Sequence, residues 1–271
     1  MKIIKDRILK PKIRSRLRRS LGKIFYINKR RIEWLREFSN YSKVIRKDYF
    51  DHSVVRHKSL LLRPLKDVDM RLQHNKVKNL SLAINKIDGI IIKPNQVFSL
   101  WYLIGKPSAR KGYLPGLVLN QGKIEEGIGG GLCQLGNLLC WMSLHTPLEI
   151  KERYRHGYDV FPDVNRKIPF GSGATLAYNY IDFQLRNTTP HTFQIKLNLS
   201  EKYLEGEILS SEIIPSKYEV FEDNHHFVQQ SWGGYTRHNQ IKRRIIEDNN
   251  VKEELLFENH AIMMYEPFLE S

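Results

Sequence analysis

Cysteine is scarce in this chain: Cys133 and Cys140 are the two it has in 271 residues. On one helix they would lie about 10.5 Å apart along the axis, beyond the roughly 7 Å that a disulfide spans. A disulfide framework is excluded, and cysteine usage demands no oxidising compartment. No window approaches 18 consecutive apolar residues, so no transmembrane span is expected. There is no CxxC, no HExxH and no Gly-Lys-Ser/Thr phosphate loop. His225 and His226 are adjacent, and a strand would point them to opposite faces. No metal or other cofactor is therefore expected.

Charge is abundant but unevenly spread. The net charge is +15. Residues 1–31 hold thirteen Lys/Arg against one acid, Asp6, which leaves only +3 for the other 240 residues. Basicity belongs to an N-terminal arm. Pro11 suits a first helical turn, and Ile13, Leu17, Leu21 and Ile24 then recur at helical spacing among Arg14, Arg16, Arg18, Arg19 and Lys23. Such a helix can dock on the domain through its apolar stripe or lie on an anionic membrane surface. Nucleic acid is the weakest partner, because no recognised nucleic-acid module follows the arm. The arm has no apolar h-region and no small-residue cleavage pattern. The expected location is the cytoplasm, at most peripheral on the inner face of the membrane.

Along the chain, the pattern of Trp34, Leu35, Phe38, Tyr41 and Val44 predicts a second helix over 31–47. His52 and His57 read as surface residues. An amphipathic helix is expected over 75–86, then strands at 90–92 and 97–101 with a turn between them. Residues 116–123 suggest a hairpin leading into Gly127-Ile-Gly-Gly-Gly-Leu-Cys133. After Cys133 the run Leu135, Leu138, Leu139, Trp141, Met142 has helical spacing and ends at Pro147. Beyond it the chain turns to strands: 149–156, two runs within 174–187, 192–199, and short ones at 218–221, 241–246 and 261–265. The expected class is α+β, with helices first and a mainly antiparallel sheet after. Residues 1–70 read as a basic helical arm and lead-in, and residues 71–271 as the α+β domain.

Chemistry points to Cys133. Glycine clusters are tolerated where backbone must bend sharply or approach something closely. A cysteine where a glycine loop feeds a helix meets the positive end of the helix dipole, which favours thiolate. The alternative is a tight turn followed by a small buried cysteine. A thiol nucleophile needs a base, something to orient that base, and oxyanion donors. His156 is the candidate base, or else a histidine at a sheet edge. Asp182 is the first choice to orient it, with Asp159 and Asp163 as alternatives. The loop residues Gly129, Gly130, Gly131 and Leu132 would line an oxyanion site. The amides of Leu132 and Cys133 would donate there, with side-chain help from Gln134 and Asn137. Cys140 reads as core.

The segments Phe98-Ser-Leu-Trp101, Gly129-Gly-Gly-Leu-Cys133-Gln134-Leu-Gly-Asn137 through Pro147, His156, Gly173-Ala-Thr and Ile181-Asp182-Phe-Gln-Leu-Arg-Asn187-Thr together resemble the VanW family. The resemblance runs from about Val77 to about Leu199. That family takes its name from an accessory protein of a vancomycin-resistance cluster. VanW domains of some multidomain exported proteins are linked to L,D-transpeptidation of peptidoglycan through the cysteine matching Cys133. The resemblance thus implies a peptidoglycan peptide or precursor as partner. Gly136 departs from the family, where Ser is common, and the chain shows no signal or anchor of the kind exported members carry.

Overall fold

Capping side chains and long-range pairing set the limits of the helices in the first half. The computed structural model describes residues 15–63, 69–120, 123–160, 168–248 and 250–266. Pro11, Ile13, Arg14 and Asp163 lie outside them. Helix α1 (Arg16–Arg36) starts at Ser15, whose hydroxyl accepts the Arg18 amide. A single 3-10 turn, Phe38–Asn40, follows. The expected helix over 31–47 is thus corrected: its start continues α1, and beyond Asn40 the chain is extended. Tyr41 bridges Val97 and Ile45 bridges Ile90, so sheet pairing prevails over the helical spacing.

Strand β1 (His52–Leu60) occupies the stretch read as a surface segment. It pairs antiparallel with β10 (Tyr203–Ser210), so these lead-in residues are hydrogen-bonded into the domain. His52 and His57 are strand residues, and the half-buried His57 ring meets Trp141 edge-on. Helix α2 (Met70–Ile84) begins earlier than the pattern predicts, because the Asp69 side chain accepts the Arg71 amide at 2.8 Å. Strand β2 (Ile90–Ile92) follows as expected. The strand expected over 97–101 divides into β3 (Val97–Ser99) and the short helix α3 (Leu100–Ile104), where the Ser99 hydroxyl accepts the Tyr102 amide.

Strands β4 (Pro115–Asn120) and β5 (Lys123–Ile128) form the expected hairpin. Helix α4 (Cys133–Leu144) comes next. The second half adds β6 (Glu149–Glu152), β7 (Tyr158–Asp159), β8 (Gln184–Arg186), β9 (Phe193–Leu199), β11 (Lys217–Gln229), β12 (Tyr235–Glu247) and β13 (Asn250–Met263). Of the runs expected within 174–187, only β8 is a strand; Ala177 and Ile181 make an isolated bridge. The last three strands are far longer than the short ones expected. Their polar, two-faced sequence hides the alternation by which longer strands are recognised.

The class is α+β. One sheet runs β1-β10-β9-β2, all antiparallel. A second runs β11-β12-β13-β7, with β7 parallel to β13. A third, β3-β8-β6, is also antiparallel. The main core gathers Leu80 and Ile87 from around α2, Ile90 and Ile92 of β2, Phe193 and Ile195 of β9 and the inner side of α4. Helix α4 carries no charged residue and is buried over most of its surface, as expected of a helix apolar all round. It lies against β1 and β10. Gly206 of β10 permits this approach, for a Cβ there would come 2.6 Å from the Met142 methyl and 2.8 Å from Leu138. The middle of α4 is thereby packed directly against this sheet.

Candidate functional site

The glycine loop is shaped by close backbone approach. Gly129 and Gly131 have φ of 77° and 90°, the left-handed region that glycine enters without a Cβ penalty. Gly130 faces Gly116 of β4 so closely that a Cβ on either would strike the other's backbone. Gly131 lies against the Lys76 side chain. Asn79 of α2 then pins the loop, donating to the Gly130 carbonyl at 2.9 Å and to the Leu114 carbonyl at 3.0 Å. Its own carbonyl accepts the Leu114 amide at 2.8 Å. Asn79 was not singled out in the sequence. A signal existed: it lies at helical spacing between Leu72 and Ala83, a polar residue on the buried face of α2.

At the end of this loop Cys133 opens α4. Its thiol contacts the Leu176 carbonyl at 3.8 Å. The Leu132 and Cys133 amides have no backbone acceptor among the described residues, as the first turn of a helix implies, and the Cys133 amide lies against its own thiol. Burial pushes the thiol above its ordinary value, and backbone contacts at Leu176 and at Cys133 itself oppose this only in part. The downward pull expected of the helix end is thus opposed by burial. A helix end contributes roughly 0.3–2 kcal/mol, whereas desolvating an ionised group costs several kcal/mol. Burial wins. Cys140 is core as expected, its thiol pushed up to about 11 by burial.

The segment 171–177 joins the cysteine to the histidine. Leu176 faces the Cys133 sulfur. One residue back, the Thr175 hydroxyl accepts the His156 amide at 3.1 Å, and the Thr175 amide reaches the Tyr154 carbonyl. Asn137, one turn into α4, accepts the Ala174 amide at 2.9 Å. Arg153 donates to the Gly173 carbonyl at 2.8 Å and also to that of Gly171. Gly136 lets α4 sit close to this segment, since a Cβ there would touch Leu176 at 3.0 Å and the Ala174 carbonyl at 3.3 Å. Cys133 and His156 thus border neighbouring residues of one segment. The His156 ring is half-buried, and burial plus the neighbouring Arg155 cation lower its pKa to about 4. At neutral pH both groups are uncharged.

Other expected members have different work. Gln134 donates to the Ser59 hydroxyl at 2.9 Å and the Leu60 carbonyl at 2.8 Å, tying α4 to β1. Both its donors are engaged away from the thiol. Asp182 is fully buried and accepts from the Ser99 hydroxyl (2.5 Å), the Trp101 amide (3.1 Å), the Phe183 amide (2.8 Å) and Gln184 (3.1 Å). His156 is not among these partners. Asp182 holds the start of α3, and burial raises its pKa to about 6. Asp159 accepts from Arg237 and Tyr265 instead. Lys76 was overlooked in the sequence. It packs on Gly131, donates to Gln73 at 2.7 Å, and is lowered by burial to about 8.

Among the described residues no group of three or more His, Cys, Asp or Glu is arranged to hold a metal ion. His226, His238 and His260 do stand side by side on β11, β12 and β13 in cross-strand register. His226 stacks on His238, and the Nδ1 atoms of His238 and His260 are 2.6 Å apart. Two imidazoles on one tetrahedral zinc would need about 3.3 Å between nitrogens, given bonds near 2.0–2.1 Å. Two cavities, of about 540 and 890 Å³, lie between other elements, and neither Cys133 nor His156 lines them. No described helix is long and apolar enough to cross a membrane.

Residues 75–209 match the family described as "VanW like protein", a span holding the glycine loop, Cys133, His156 and Asp182. The chain belongs to the VanW family. It is 36% identical over 167 residues to the vancomycin B-type resistance protein VanW of Enterococcus faecalis, covering 62% of this chain and 61% of that protein. It is 29% identical over 139 residues to the uncharacterized protein YoaR of Bacillus subtilis, covering 51% and 44% respectively. The chain therefore spans about three fifths or less of the length of these two relatives. No solved structure matches it significantly. Strands β11, β12 and β13 lie beyond the residues matched to the VanW family.

Proposed function

We propose that this VanW-family protein serves glycopeptide resistance or cell-wall construction as a cysteine-dependent acyl-transfer enzyme. Its substrate would be a peptidoglycan peptide or a precursor of one. The observation that carries this reading is the shared border: the Cys133 sulfur faces Leu176 while Thr175 holds the His156 backbone. The name of the Enterococcus relative supports the resistance setting.

Because both groups are neutral at rest, the reaction begins with a proton transfer rather than a preformed ion pair. As the Cys133 sulfur bonds to a peptide carbonyl carbon, its proton passes to His156. The carbonyl oxygen gains negative charge beside the Leu132 and Cys133 amides. The carbon–nitrogen bond then breaks, and His156 returns the proton to the departing amine. The thioester passes its acyl group to an acceptor amine or to water. Asn137 and Arg153 act as positioning residues through segment 171–177, and Asp182 through α3.

A non-catalytic binding module for cell-wall precursors or a membrane-associated partner is the second reading. It is favoured by the raised thiol and lowered imidazole, which leave His156 a weak base. Intact-mass analysis after incubation with a peptidoglycan stem peptide separates the two. The enzyme reading expects a thioester adduct absent from Cys133→Ala and formed at least about 100-fold more slowly by His156→Gln. Equal peptide binding by wild type and Cys133→Ala, with no adduct, would establish the binding module instead.

A further inference from the structure

Helix α1 is docked with its apolar stripe facing outward. Leu17, Leu21, Ile24 and Phe25, and then Ile32 and Leu35 beyond the polar Asn28, lie along one face of the helix, and each is between 50% and 77% exposed. A helix that adds to a core does the opposite. The inner side explains the orientation. Arg30, buried on α1, binds Glu152 of β6 and lies 3.4 Å from Glu33. Lys151 reaches Glu37 at 3.1 Å, Trp34 meets the Tyr102 ring edge-on, and Lys23 sits over the Tyr180 ring. Polar and aromatic anchors, Trp34 among them, therefore hold the helix to the body, and most of its leucine and isoleucine side chains are left outside.

The charge around the strip selects its occupant. Within α1 there are eight Lys/Arg and one acid, Glu33, which turns inward to Arg30. Arg18, Lys29 and Arg36 flank one side of the strip and Arg31 the other, all exposed. A second copy pairing strip to strip would bring these like charges together. A nucleic acid would satisfy the cations and leave the leucines and isoleucines in water. An anionic bilayer satisfies both, taking the apolar strip between its headgroups and the flanking cations onto its phosphates.

We propose that α1 is a membrane-surface helix by which this protein lies on an anionic bilayer. The helix would lie in the plane of the interface over its length of about 31 Å, and the domain would be held on the other side by Arg30, Glu152 and Lys151.

Sedimentation of the full chain with vesicles tests this, using phosphatidylcholine alone and phosphatidylcholine with about a third phosphatidylglycerol. The expected result is binding to the anionic vesicles at least about tenfold tighter than to neutral ones, falling at least about tenfold at 0.5 M salt. Leu21→Ser with Leu35→Ser should weaken binding about tenfold or more, and so should Arg18→Glu with Arg31→Glu. Thermal melting should be unchanged in both variants, because all four side chains are outside the core. Equal pelleting of wild type and both variants overturns the proposal. So does a concentration-dependent dimer abolished by the serine pair, or duplex DNA binding that the serine pair leaves intact.

Discussion

His156 and Asp182 should give the protein two opposing pH dependences that single substitutions separate. Burial lowers the His156 pKa from 6.5 to about 4. The unfolded chain then binds the proton more readily, so this group's stability is present above 6.5 and is lost as pH falls toward 4. At pH 4 the loss is about 3 kcal/mol. Asp182 works the other way, its pKa raised from 3.8 to about 6. Its stability is present below 3.8 and is lost as pH rises through 6, again by about 3 kcal/mol. Between pH 4 and 7 the two nearly cancel. Denaturant unfolding followed by tryptophan fluorescence across this range should show the cancellation removed. His156→Asn should grow less stable as pH rises from 4 to 7, and Asp182→Asn more stable, each by about 3 kcal/mol relative to wild type. The second variant starts lower at every pH, because Ser99 and Gln184 lose an acceptor, so the slope is the diagnostic quantity. Either variant running parallel to wild type would refute the burial argument for that residue.

Further outcomes follow from the same geometry. The raised Cys133 thiol should alkylate with iodoacetamide at pH 7 at least about tenfold more slowly in the folded protein than in the urea-unfolded chain; mass spectrometry after timed quenching reads the ratio. Gly130→Ala places a methyl group against the Gly116 backbone, which cannot swing aside, and should cost about 3 kcal/mol or more in chemical denaturation. Gly136→Ala meets mainly the end of the Leu176 side chain and should cost about 1 kcal/mol. Asn79→Ala removes three hydrogen bonds of a buried side chain and should destabilise by about 3 kcal/mol, with faster hydrogen exchange at Leu114 as its local signature.

Much of the candidate site is legible in residue order, because it is built from short-range features. Glycines at 129–131 imply a backbone that must approach closely, and Gly130 against Gly116 is that approach. The apolar spacing after Cys133 implies a helix, and α4 begins there. Capping is the part most easily missed. Asp69 and Ser99 move two boundaries by accepting single amides, and nothing in the apolar period announces them. Strand pairing is harder still: β1 and the long strands β11, β12 and β13 find their partners across the fold, while their own sequences are so polar that β1 reads as a surface segment and the other three as short strands only.

The sequence by itself determined the α+β class, the glycine turn into a helix at Cys133, the basic character of the arm and the family. Each depends on neighbours along the chain, whose periodicity and backbone preferences are local. Tertiary structure alone decided which way α1 turns its apolar strip, since that rests on Arg30 meeting Glu152 from a distant strand. It alone brought His226, His238 and His260 into one row and gave Asp182 to α3 rather than to His156. It also decided the state of the cysteine. The helix end that favours a thiolate is local, but the burial that overrides it is assembled from Leu176 and the whole segment packed over it.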